Sequence, residues 1–453
     1  MTVLVLLIYL VVVFGIAYFT SRHEWLSAYF LNNKKTGLRL MTFSTVATLV
    51  GWGATVGIIS EIHATWISYG FALPIALLVG MLVLGLLAKK IKTYGDKYGA
   101  YTVVDFFAKR FDKKNQLLTA VLQIFLIIIR VAVHAIAFSS LASVLIDIPY
   151  SLALVIAAGF TIFYTALGGL KVDIITDFIQ FRIMLIIFTL LAVLGYEHVG
   201  GISALVWQLP IGHLDLFAFG GVSRTVGSIL IWWFVFLGNT TYRQRIFSAE
   251  DETVAKKSFF LSMPFLLLFS ILIVFLWLVA AATISVGRSE NTIFVLMKEL
   301  LPSPLIGLGF AAIFATVMSS LDSLLIGGST ILYRALSEKW LMPVSRQILG
   351  ARLVTGLFGV AGFLLAFLVP HIVDLSLLVS YLALIFVPPI IAGLTSQRTS
   401  SAASFYSILI PAILVFALFP VLKENTFVIT TPLGVLLIIF YDKIFGTSRV
   451  ITK

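Results

Sequence analysis

Residues 311–330 read AAIFATVMSSLDSLLIGGST, an apolar segment that carries Thr316, Ser319, Ser320, Asp322 and Ser323 near its middle. Wound as an α-helix at ~100° per residue, Thr316, Ser319, Ser320 and Ser323 share one face, with Asp322 at its edge. A carboxylate deep in a bilayer costs at least ~2.5 to 3.5 kcal/mol on insertion scales, so this face belongs against an interior cavity or an ion. Its oxygens suit sodium, a hard cation that favours hydroxyl, carboxylate and carbonyl ligands by the logic that gives calcium and magnesium all-oxygen sites. The same pattern also permits close helix packing through small residues, with the hydroxyls bonded back to the preceding turn.

The rest of the chain supplies the membrane. Of 453 residues, 60% are apolar and 11% charged, against ~25% charged in soluble domains. About thirteen apolar stretches are each roughly long enough to cross a hydrocarbon core of ~30 Å, and no polar stretch between them can form a soluble unit. The expectation is an all-α polytopic membrane protein of one integral domain. Residues 1–20 have no basic residue before them and no small-residue cleavage site, so they read as a retained span. Lys89, Lys90, Lys92, Lys97, Lys109, Arg110, Lys113 and Lys114 share a side with Arg243, Arg245, Lys256 and Lys257, and with Arg334, Lys339, Arg346 and Arg352. The opposite loops hold Arg288, Lys298 and Lys423. The positive-inside rule then puts the N terminus outside and the C terminus in the cytoplasm of a cell membrane. The net charge of +11 is thereby a topology signal, not a nucleic-acid footprint. Residues 101–111, with Phe106, Phe107 and Phe111 beside Lys109 and Arg110, are expected on the cytoplasmic membrane face, and 205–219 on the outer one.

The absence of cysteine excludes disulfides and a thiol nucleophile. No GxxxxGK[ST], HExxH or GxSxG occurs, so ATP-driven pumping, metalloprotease and serine-hydrolase chemistry lack their parts and no enzyme activity is expected. No cofactor and no obligatory protein partner are implied; the ligands are a solute, sodium and the lipid bilayer.

Further candidates lie in other spans. Residues 48–57, TLVGWGATVG, place Gly51 and Gly53 around Trp52. Unwound backbone at membrane depth is tolerated where it lines a cavity, and a break here frees carbonyls such as those of Val46 and Leu49 for an ion; a tight packing face is the other reading. Arg130, in FLIIIRVAVHAIAF, is too deep to face lipid, with His134 a turn later. It either pairs with an acid such as Asp322 or receives a solute carboxylate in the fork geometry of a guanidinium. In GGLKVDIITDFIQ, the helix dipole suffices to explain Asp173, while Asp177 sits a turn deeper and suits an ion. Trp232, Trp233 and Phe236 are either cavity-lining or packing aromatics.

Taken together, four stretches resemble the sodium:solute symporter family: YFLNNKKTGLR (29–39), GGLKVDIITDFIQ (168–180), GNTTYRQRIFSAED (238–251) and ATVMSSLDS (315–323). The resemblance implies a leucine-transporter-like fold: an extra first helix (1–20), two five-helix inverted repeats (40–196 and 222–394) and two appended helices (402–445). It implies a sodium site made by the carbonyls of Val46, Leu49 and Thr316 and the hydroxyls of Ser319 and Ser320. In members with a further sodium site the matching positions are Asp177, Asp322 and Ser323, with Asp322 standing where serine is common. By the same resemblance Arg130 matches an arginine that holds a substrate carboxylate in sialic acid carriers, Thr48 and Trp52 match a cavity-lining stretch, and Trp232 and Phe236 match a substrate-facing region of proline carriers. The implied activity is sodium-coupled symport of a small organic solute, such as sialic acid, an amino acid or another organic acid. A proton-coupled carrier of the same fold and a transporter-like solute sensor remain the alternatives.

Overall fold

A computed structural model describes residues 2–21, 25–51, 56–217, 221–222, 225, 229, 236–284, 292–337, 343–369, 373–396, 398–422 and 425–445. In chain order its helices are α1 (Thr2–Thr20), α2 (Leu26–Leu31), α3 (Leu38–Leu49), α4 (Val56–Tyr98), α5 (Val103–Arg110), α6 (Lys113–Ile146), α7 (Tyr150–His198) and α8 (Ile202–Gln208). Then follow α9 (Thr240–Ser248), α10 (Glu252–Thr283), α11 (Thr292–Leu300), α12 (Ser303–Ser337), α13 (Val344–Leu368), α14 (Val373–Leu384), α15 (Val387–Thr395), α16 (Ser401–Leu422) and α17 (Thr426–Phe445). Among the described residues ten helices are long and apolar enough to cross a membrane, and no sheet occurs beyond a single bridge between Thr36 and Ala249.

Two departures from straight helices shape the core. At 49 residues α7 would be about 74 Å long, over twice a hydrocarbon core, and cannot be one span. It breaks at Gly169, whose φ of +59° and ψ of −166° are not helical. A Cβ at Gly169 would lie 2.5 Å from the Tyr29 carbonyl oxygen, so α2 is seated in the notch that only glycine leaves. The Tyr29 hydroxyl then bonds Ala166 O at 3.1 Å and Thr355 Oγ1 at 2.9 Å, tying α2 to α7 and α13.

The second departure is the early end of α3 at Leu49, where the glycine pattern predicts a break. The next described helix, α4, runs from Val56 to Tyr98 with Pro74 inside it.

Burial orders the helices by position. In the apolar window of α12, 78% of residues are inside the protein, against 11% for α17, so α12 is central and α17 peripheral. Exposed leucine, isoleucine, valine and phenylalanine side chains on α1, α13, α16 and α17 form the outer surface, as a hydrocarbon solvent requires.

Residues 101–111 differ from the interfacial expectation. Phe106 and Phe107 are buried against protein, with Phe107 6.4 Å from the Phe386 ring, and α5 is closed by a Thr102–Asp105 capping box. Arg334 of α12 bonds Asp105 at 2.9 Å, and Arg110 donates to the carbonyls of Gly393 and Ser396 at 3.2 and 2.7 Å. The phenyl face has a protein partner, so it leaves no apolar stripe for lipid headgroups.

Candidate functional site

The end of α3 meets the hydroxyl face of α12. Ser319 Oγ donates to Ala47 O at 3.0 Å, and Ser320 Oγ to Thr48 O at 3.1 Å. Gly51 continues the approach: a Cβ there would stand 1.7 Å from Ser320 Oγ and 3.2 Å from Thr316 O. Val46 O takes the amide of Val50 at 2.9 Å in the last turn, and Leu49 closes the helix. Val46, Leu49, Thr316, Ser319 and Ser320 are thus gathered where α3 crosses α12. The side chains of Thr316 and Ser319 are fully buried and Ser320 is 6% exposed. A serine that donates its hydrogen keeps its lone pairs, and the C-terminal end of α3 carries the negative end of a helix dipole. Both favour a cation.

Less than a turn further along α12 is a denser polar cluster. The buried guanidinium of Arg245, from α9, places Nη2 2.8 Å from Asp177 Oδ2, 3.1 Å from Asp173 Oδ2 and 2.7 Å from Ser323 Oγ, while Nε donates to Ser44 Oγ at 3.0 Å. Ser44 in turn donates to Asp177 at 2.6 Å, and Ser323 reaches Asp173 at 3.1 Å. Thr48 Oγ1, bonded to Ser44 O at 3.0 Å, lies 3.4 Å from both Asp177 and Ser323. Four elements, α3, α7, α9 and α12, therefore meet on one side chain. Asp322 points elsewhere: Thr165 of α7 donates to its Oδ1 at 2.9 Å, and its Oδ2, like Asp177 Oδ1, has no hydrogen-bond partner among the described residues. Arg243, two residues from Arg245, is buried with no carboxylate paired to it among the described residues, and burial pushes its guanidinium down to about 9.

The first helix is pinned to this region. Gln180 Nε2 donates to the Tyr9 hydroxyl at 3.0 Å, and that hydroxyl lies 3.9 Å from Met318 Sδ, one turn before Asp322.

Of the substrate candidates, Arg130 is partly accessible and has no ion pair among the described residues, and its carbonyl lies 2.8 Å from His134 Nδ1. The pairing with Asp322 does not form. Phe236 is buried, 5.3 Å from the Tyr242 ring and packed on Gly80. Trp52, Trp232 and Trp233 lie outside the described residues.

A model of the sodium:solute symporter family matches residues 29–410. The chain belongs to that family. It is therefore a multi-pass membrane protein of a transporter family. Among curated relatives, the osmoregulated proline transporter OpuE of Bacillus subtilis is 27% identical over 58% of this chain and 57% of its own length. Sodium/proline symporter 2 of Staphylococcus saprophyticus is 25% identical over 73% of this chain and 67% of its own, and the sodium/proline symporter of Staphylococcus aureus 26% over 68% and 62%. The chain thus spans roughly three fifths to two thirds of the length of these relatives.

Among solved structures, a Na+-coupled sialic acid symporter in a substrate-bound outward-open state superposes with a TM-score of 0.83, at 17% identity, over 100% of this symporter-family chain and 99% of that one. Mhp1, of the nucleobase-cation-symport-1 family, gives 0.59 at 11% identity over 94% and 96%. At these identities the likeness is one of fold, the leucine-transporter-like fold.

Reading the sequence alone left Arg245 among the topology charges and Asp173 with the helix dipole. The signal that could have joined them is spacing: Asp173 and Asp177 are i,i+4 on one helix face, and two buried acids on one face require a cation. Gln180, one turn beyond Thr176, and Tyr9 carried no such signal, because a lone amide or phenol in an apolar span is ordinarily satisfied within its own helix pair.

Proposed function

We propose that this protein is a sodium-coupled symporter that moves a small carboxylate-bearing solute across a cell membrane by alternating access. The observation that carries the reading is the meeting of the interrupted end of α3 with Ser319 and Ser320: two buried hydroxyls bonded to two carbonyls at the negative end of a helix. Sodium supplies the charge that this oxygen set lacks. Bound between α3 and α12, it holds the two elements together and completes the cavity that receives the solute; its loss separates them. The proline and sialic acid substrates of the related carriers belong to the same carboxylate class, and an unpaired Arg130 in the interior suits it.

In family members with a further sodium site the matching positions would be Asp177, Asp322 and Ser323; the proposed solute cavity comprises Thr48, Trp52, Arg130, Trp232 and Phe236. The N terminus lies outside and the C terminus inside, and the two inverted repeats span 40–196 and 222–394.

The test is uptake into proteoliposomes. With Ser319→Ala and Ser320→Ala combined, sodium-driven accumulation of a carboxylate solute falls to the passive level while the purified protein keeps its fold by circular dichroism. Undiminished accumulation would remove the site from the mechanism, and uptake that persists with choline in place of sodium would favour a proton-coupled carrier.

A further inference from the structure

Resting on the sodium reading above, we infer that Arg245 is a tethered cation that takes the place of a second sodium ion, so that the protein binds one sodium per polypeptide. Two of the three residues proposed for a second ion are held by the guanidinium: Asp177 Oδ2 at 2.8 Å and Ser323 Oγ at 2.7 Å. The third, Asp322, is turned to Thr165 on α7. A monovalent ion between Asp177 and Ser323 needs the lone pairs that now face N–H groups, and it would stand where Nη2 stands. The guanidinium brings the same single positive charge, cannot lose it at physiological pH, and spreads it over several donors instead of one centre.

Its surroundings make the substitution complete. Arg245 is 1% exposed, Asp173 shares its Nη2 at 3.1 Å, and Ser44 takes its Nε at 3.0 Å, so one oxygen from each of Ser44, Asp173, Asp177 and Ser323, on α3, α7 and α12, is already bonded to one charge. At the proposed sodium site, the described partners of the Ser319 and Ser320 hydroxyls are uncharged carbonyls, Ala47 O, Thr316 O and Thr48 O. One position in the core is thus charged by the chain itself, and the neighbouring one offers a cation neutral oxygens.

Binding of radiolabelled sodium to the purified full chain in nanodiscs, counted at saturation by equilibrium dialysis, decides the matter without any solute. The expected count is one per native polypeptide, falling to none in the Ser319→Ala, Ser320→Ala variant. It is expected to rise to two in Arg245→Gln and to remain one in Arg245→Lys, which keeps a tethered charge. A native count of two overturns the inference and leaves sodium symport standing, as does a single ion that survives loss of both serines. A folded Arg245→Gln protein that still binds one also overturns it. A native count of zero instead sinks the sodium reading itself. Should Arg245→Gln fail to fold, the native count and the serine variant still decide.

Discussion

Arg130 has no carboxylate to answer it among the described residues, in a core where Arg245 answers two. A partly buried guanidinium without an acid is costly unless something brings one, and a solute carboxylate does so with two parallel hydrogen bonds. Arg130→Ala is therefore expected to weaken binding of carboxylate solutes by about tenfold or more, ~1.4 kcal/mol or above, while uncharged analogues lose much less. Isothermal titration of matched acids and amides measures the difference; equal losses for both would assign Arg130 to packing. At this scale the sequence exposed types but not partners. Asp322 and the serines around it were legible as costly polar groups in an apolar segment, yet the bond from Thr165 comes from 157 positions away and left no local trace.

Helices here are set by what interrupts them. The break after Leu49 was legible because Gly51 and Gly53 weaken a helix, and the close approach of Ser320 to Gly51 is the structural consequence. The division of α7 at Gly169 was legible only as a loop between two spans; that the loop is a single left-handed residue clasped by α2 was not. Gly169→Ala must place a Cβ 2.5 Å from Tyr29 O on a backbone with positive φ, so a loss of ~2 kcal/mol or more is expected, read as a lower melting temperature in detergent. The packing of α5 was also missed. Its phenylalanines beside Lys109 and Arg110 have the pattern of a membrane-surface helix, and only the presence of Phe386 and Gly393 beneath it shows where the aromatic face goes. Asp105→Asn weakens both the capping box and the partly exposed bond to Arg334, an effect of ~1 kcal/mol in chemical denaturation.

Across the molecule, the proposed symport has sodium and solute act on one equilibrium between arrangements of α3 against α12. Coupling free energies are reciprocal, so the factor by which saturating sodium raises solute affinity equals the factor by which saturating solute raises sodium affinity, and two titrations with unequal factors would rule out a single linked equilibrium. The absence of native cysteine makes orientation directly measurable. Lys109 is exposed on α5, and in Lys109→Cys a membrane-impermeant maleimide is expected to react only after the cytoplasmic face is opened. Labelling of intact cells would invert the topology read from loop charge.

Composition and spacing established a helical membrane protein, the end of a helix near Leu49 and the oxygen face on 311–330, because apolar length, glycine and helical periodicity are properties of neighbouring residues and need no partner; the family was legible only through the resemblance of four motif stretches. Tertiary structure alone decided that Asp173, Asp177, Ser44 and Ser323 close on Arg245, that Asp322 turns to Thr165, and that Arg130 has no acid beside it among the described residues. Those choices are made by donors and acceptors about 3 Å apart in space and separated by tens to hundreds of residues in the chain, where desolvation forces each buried charge to take whichever partner the packed helices bring within reach.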